Sequence, residues 1–162
     1  MSKQPKNKFD SENYISSAFQ NRISQLIQEN NCDNNEEFAK LVKISTPVVT
    51  KAVNLGIVPT VKPLLKMADF LQLPFDYVMG KSNDETFYPS LSPSSFHERL
   101  TFLKLQNKKN WSSILLKLPF PRTYIYEWIK KSTYPCVDYL YALAKYLKVN
   151  VDYLLGRTDY KD

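Results

Sequence analysis

Glycine is nearly missing from this sequence: three residues in 162, at Gly56, Gly80 and Gly156, against ten prolines. A loop that cradles phosphate with backbone amides needs several glycines close together, so nucleotide-binding loops of that kind are excluded. Histidine occurs once, at His97, and the two cysteines, Cys32 and Cys136, form no spaced motif. Zinc and haem sites therefore have too few of their usual ligands. No nucleophile and base stand in a recognisable order either, so the chain reads as a non-enzyme with no cofactor and no metal. Residues 1–8 are polar and basic rather than apolar, and no hydrophobic run approaches a membrane span. The expectation is a cytoplasmic chain with reduced thiols and no membrane partner.

What is present is apolar and aromatic material, 43% and 14% of the chain, enough to bury cores, together with a net charge of +6. That charge is unevenly placed. Residues 1–90 hold nine Lys and one Arg against ten acids, whereas residues 91–162 hold nine Lys and three Arg against six. All the net positive charge thus lies in the second half, which suggests a polyanionic partner.

Residues 1–13 have no apolar period and read as a flexible basic tail. From residue 14 the pattern is helical, with Phe19, Ile23, Leu26 and Ile27 on one face and Asn30 and Asn31 as a stop. Asn34 followed by Glu37 signals a capping box for a second helix with Phe38, Ala39 and Val42 inward. Ser45 is placed to cap a third, from Thr46 to about Asn54, with Pro47 in its first turn and Val49 and Ala52 inward. Thr60 is placed to cap a fourth, carrying Val61, Leu64, Leu65, Ala68 and Leu71, and Phe75 to Met79 makes a fifth that Gly80 ends. Residues 81–95, rich in Ser, Pro, Asp and Asn, read as a linker.

The pattern then begins again. Pro74-Phe-Asp-Tyr-Val-Met-Gly80 returns as Asn150-Val-Asp-Tyr-Leu-Leu-Gly156, a shift of 76 residues. The same shift carries Pro59 to Pro135, Val61 to Val137, Leu64 to Leu140, Ala68 to Ala144 and Leu71 to Leu147, while Phe19 and Arg22 match Phe96 and Arg99 at 77. Agreement over this length with one register change is an internal duplication. Within the second copy, the stretch from Leu118 to Lys131 predicts a short helix after a tight turn. Ile125 and Trp128 share its inner face, and Arg122, Thr123, Tyr126, Glu127 and Lys130 are left on the others. An anchored helix with a polar, cation-tipped face suits a major groove.

Each copy resembles the helix-turn-helix domain of the Cro and lambda-repressor type, also called the xenobiotic-response-element family. The residues that carry the likeness are Arg99-Leu100, the apolar Ile114, Leu115 and Leu118, Tyr124 to Trp128, the Pro135-x-Val137 start of a fourth helix, and Val149 to Asp159. The resemblance implies an all-α chain: two tandem five-helix domains, at residues 14–80 and 96–159, joined by the linker 81–95. It implies a sequence-specific regulator, a repressor of bacterial or phage kind, whose partner is double-stranded DNA. By position, Arg122, Thr123 and Glu127 would meet bases with Tyr126 alongside, and Asn110, Trp111, Lys130 and Lys131 would meet phosphates. In the first copy the matching places are Thr46, Thr50 and Lys51, beside Pro47, with Asn35 and Ser45 at the backbone.

Two departures qualify the likeness. The turn before the third helix often holds Gly, but Lys43 and Pro119 stand there, and Pro cannot take a positive φ, so the second turn must be built differently, with Phe120 plugging the core. Pro47, Val48 and Val53 are poor readers of base edges, which makes the first copy a candidate for homodimer or other protein contacts. Trp111 and the tyrosines 124, 126 and 134 are open to stacking or to a partner interface. The alternative reading is a protein-interaction module that keeps the fold without DNA.

Overall fold

The computed structural model describes residues 14–162, so the tail at residues 1–13 lies outside the described residues. Over that span the chain is all-α, and the β pairing described is an isolated bridge between Ile15 and Ile57. It divides into two compact units, residues 1–86 and 87–162. Unit 1 holds α1 (Ser17–Glu29), α2 (Asn35–Val42), α3 (Thr46–Leu55), α4 (Val61–Leu71) and α5 (Phe75–Val78). Unit 2 holds α6 (Phe96–Gln106), α7 (Trp111–Lys117), α8 (Thr123–Lys131), α9 (Val137–Leu147) and α10 (Val151–Leu154).

Side-chain capping fixes four of the ten described helix starts, those of α1, α2, α6 and α10. Ser16 accepts from the Phe19 amide at 3.1 Å, and Asn34 accepts from the Glu37 amide at 2.9 Å. Glu37 reaches back to the Asp33 amide rather than to its cap, at 2.8 Å. Ser45 and Thr60 occupy cap positions, but neither side chain makes the expected bond. There the entry is set by extended backbone, with Pro47 preset for the first turn of α3. Inside unit 1 the core is Phe19, Ile23, Leu26, Phe38, Val42, Leu64 and Phe75, joined by Met67, which the helical pattern had left out.

The duplication is visible in local geometry. The shift of 76 carries α4 onto α9 and α5 onto α10 residue for residue, and it pairs the left-handed helix ends Gly56 with Ser132 and Gln72 with Lys148. Arg22 and Arg99 are both buried; Arg22 Nη1 donates to Tyr77 O at 2.7 Å and Arg99 Nη1 to Tyr153 O at 3.0 Å. Each guanidinium also lies over the same tyrosine's ring, at 3.7 and 4.0 Å. One tie thus fastens the first helix of each unit to its last. Gly80 and Gly156 both hold φ +75, and a Cβ at either would collide with backbone, at Ala18 and Ser94 respectively.

Residues 81–95 are not a free tether. Ser82 O and Asn83 Oδ1 accept from Arg22, and Tyr77 Oη donates to Glu85, which attaches this part to unit 1. In unit 2, Phe87 lies under the Arg157 guanidinium at 4.3 Å, Tyr88 O accepts from Thr158 Oγ1 and the Ser90 amide donates to Arg157 O. Arg157, paired with Asp152, is itself buried. Cleavage by a protease of broad specificity is therefore expected first near Glu85, beside the division between units, leaving two fragments on a denaturing gel that match residues 1–86 and 87–162 in size. First cuts within residues 87–95 would show that the strap on unit 2 does not hold.

Candidate nucleic-acid interface

In unit 1 the turn between α2 and α3 is made by Lys43 in the left-handed conformation, φ 61, and the two helices pack directly on each other. A lysine accepts this geometry at a cost of about 1 kcal/mol that the packing offsets. In unit 2 the same step falls on Pro119, and the solution differs. Leu118 leaves α7 in extended geometry, φ −72 and ψ 144, and α8 opens only at Thr123. The helix expected from Leu118 onward is thus shorter. Pro121 lies before it rather than in its first turn, and its carbonyl accepts from the Tyr124 amide at 3.0 Å. Helix α8 packs mainly on α6, and α7 on α9.

Phe120 is what holds this arrangement. It is buried between the two prolines, with its ring centroid 4.6 Å from Tyr139, 5.1 Å from Trp128 and 6.1 Å from Tyr124. The aromatic group replaces the turn that Pro119 forbids. Tyr124, Ile125 and Trp128 form the inner face of α8, all buried, so Tyr124 is a core residue and not one of the stacking surfaces open from sequence. Tyr134 stacks on Phe96 at 5.7 Å and is half-buried. Beyond the end of α8, His97 Nε2 lies 2.7 Å from Thr133 O.

The outer side of α8 carries Arg122, Thr123, Tyr126, Glu127, Lys130 and Lys131, all exposed. Thr123, Tyr126, Glu127 and Lys130 follow the three- and four-residue steps of one helical face, with Arg122 at its leading edge. Arg122 makes no side-chain cap bond. Lys104 of α6 sets its ammonium 4.7 Å from the centre of the Tyr126 ring, a cation beside this face that the sequence reading did not single out. It is half-buried, and nothing in helical periodicity points to it. Trp111, expected at phosphates, is instead 7% exposed, and its indole N–H is enclosed with no hydrogen-bond partner. A tryptophan at the first helical position of α7 thus belongs to the core of the unit. Asn110 remains exposed at that helix start.

In unit 1 the matching places are mixed. Lys51 and Ser45 are exposed, while Asn35, Thr46 and Thr50 are half-buried. The outer surface of α3 is half apolar: Pro47 is exposed, Val48 and Val53 are half-buried and Leu55 is 57% exposed, beside the exposed Lys51 and Asn54. The charge follows the same division, since unit 1 sums to zero and unit 2 to +6. Among the described residues no cluster of His, Cys, Asp and Glu could hold a metal ion, neither cysteine is in a disulfide, and no helix is long and apolar enough to cross a membrane. Burial, then the nearby Glu37 and Asp33 carboxylates, pushes the Cys32 thiol up from its ordinary value, away from the thiolate.

Comparison of the chain with protein-family models, with curated proteins and with solved structures found no match.

Proposed function

We propose that this chain is a sequence-specific double-stranded DNA-binding transcriptional regulator, a repressor built of two tandem helix-turn-helix domains of the Cro and lambda-repressor type. The observation that carries the reading is the division of α8. Its inner face is locked into an aromatic core, and its outer face offers a guanidinium, a hydroxyl, a carboxylate and two ammonium groups to solvent. Arg pairs with guanine through two bonds, Glu accepts from cytosine and Thr meets a thymine methyl, while Lys130 and Lys131 suit phosphates. Glu127 opposes non-specific attraction to DNA, so its place on this face favours base reading over general charge.

Unit 2 is the main reader in this proposal, and unit 1, neutral in charge and with Pro47, Val48, Val53 and Leu55 at the surface of α3, supplies self-association. Filter binding of mixed genomic fragments at several salt concentrations, with the retained fragments sequenced, tests it. Binding should weaken steeply with salt, in line with release of counterions from several phosphates, and should enrich particular fragments. Equal retention of all fragments, or no binding at low salt, would overturn it. The second reading, a protein-interaction module without DNA, draws on Leu116 of α7, which is 87% exposed.

A further inference from the structure

The duplicated arginines differ at one edge. In unit 1, Arg22 Nη1 donates to Tyr77 O and Ser82 O, and Nη2 donates to Asn83 Oδ1 at 2.9 Å, so both nitrogens are engaged. A shift of 76 turns Tyr77, Ser82 and Asn83 into Tyr153, Thr158 and Asp159. Arg99 Nη1 repeats the two carbonyl contacts, at 3.0 Å to Tyr153 and 3.4 Å to Thr158. The third contact is not repeated. Asp159 accepts from Ser90 Oγ at 2.6 Å and from the Leu91 amide at 3.3 Å, drawn to the strap instead of to the arginine. Arg99 is 9% exposed, and its Nη2 lacks the acceptor that Asn83 gives to Arg22.

That edge borders a cavity of about 420 Å³, lined by Ser94, Glu98, Arg99, Phe102, Tyr153 and Asp159. Ser94 Oγ is enclosed and has no hydrogen-bond partner. The volume falls within the range of small-molecule sites, about 300 to 1,000 Å³. The lining presents one cation and two carboxylates, which disfavours a phosphate or other multiply charged anion. Phe102, 47% exposed, supplies an apolar wall.

We propose that this cavity binds a small zwitterion of the amino-acid class with an apolar side chain. The carboxylate takes the open edge of Arg99, the ammonium lies toward Glu98 and Asp159, and the apolar body covers Phe102. The inference is independent of DNA binding, and its test needs no DNA. The full chain, labelled with ¹⁵N, is titrated with L-phenylalanine, with phenethylamine and with 3-phenylpropionate. Saturable shifts are expected at Arg99, Phe102 and Tyr153 for L-phenylalanine, with the two singly charged probes weaker by about tenfold or more. Resonances around Arg22, whose socket is filled, should stay in place.

Glu98→Gln and Phe102→Ala change exposed side chains and leave the Arg99 tie intact; each should weaken binding about tenfold. No saturable shift with L-phenylalanine or L-leucine, equal binding of the three probes, equal shifts at Arg22, or undiminished binding by both variants would each overturn the proposal.

Discussion

Phe120→Ala should destabilise unit 2 by about 3 to 5 kcal/mol while leaving unit 1 as it is, the usual range for emptying a buried aromatic site. The expectation rests on how α8 is held. Pro119 denies unit 2 the left-handed turn that Lys43 makes in unit 1, and the rings of Trp128, Tyr139 and Tyr124 meet at Phe120. Removing it leaves a void under the start of α8 that two flanking prolines stop the backbone from filling. Both tryptophans of the chain, Trp111 and Trp128, lie in unit 2, so their fluorescence in a urea titration follows that unit alone, while far-ultraviolet circular dichroism follows both. A lower fluorescence midpoint beside an unchanged second dichroism transition is the expected record. A loss below about 1 kcal/mol would mean that α8 is held by its contacts with α6, with Phe120 only filling space.

The helices were legible in the sequence because their signals are local. Asn34 with Glu37, Pro47 near a helix start, and the spacing of Ile23, Leu26 and Ile27 each report a helix without knowledge of its neighbours. The repeat was legible for a related reason: two copies constrained by the same packing keep the same apolar positions, and Arg22 and Arg99 keep the same tie. What periodicity could not show is which aromatic side chains are needed inside a small unit. Tyr124 and Trp111 looked like surface aromatics, yet unit 2 buries both, Tyr124 against the Phe120 and Tyr139 rings, a long-range contact that helical spacing does not reveal. Residues 87–94 read as linker from their Ser and Pro content. Their bonds to Gly156, Arg157 and Thr158 are long-range pairings that no local pattern announces. Lys104 escaped for the same reason, because it joins the α8 face only through the packing of α6.

Arg122→Ala should lower affinity for a preferred DNA site by roughly tenfold to a hundredfold, about 1 to 3 kcal/mol, and blur the preference at one base pair. Arg122 stands exposed at the cap position of α8 in helical geometry, with its side chain outside the cap, so the fold should survive the change. An unaltered tryptophan-fluorescence midpoint checks that point first. Lys131→Ala, at the far end of the same helix, should behave otherwise: all sequences bind less tightly, discrimination is kept, and the salt slope falls by about one unit. The contrast between a base contact and a phosphate contact carries the weight here, because a general loss of positive charge would make the two variants alike. Titrations of both variants against a selected site and a scrambled one, at several salt concentrations, separate the cases. If the two lose affinity equally on both sequences, α8 attracts DNA without reading it; if neither loses any, α8 does not meet DNA and the exposed Leu116 of α7 becomes the place to look for a protein partner.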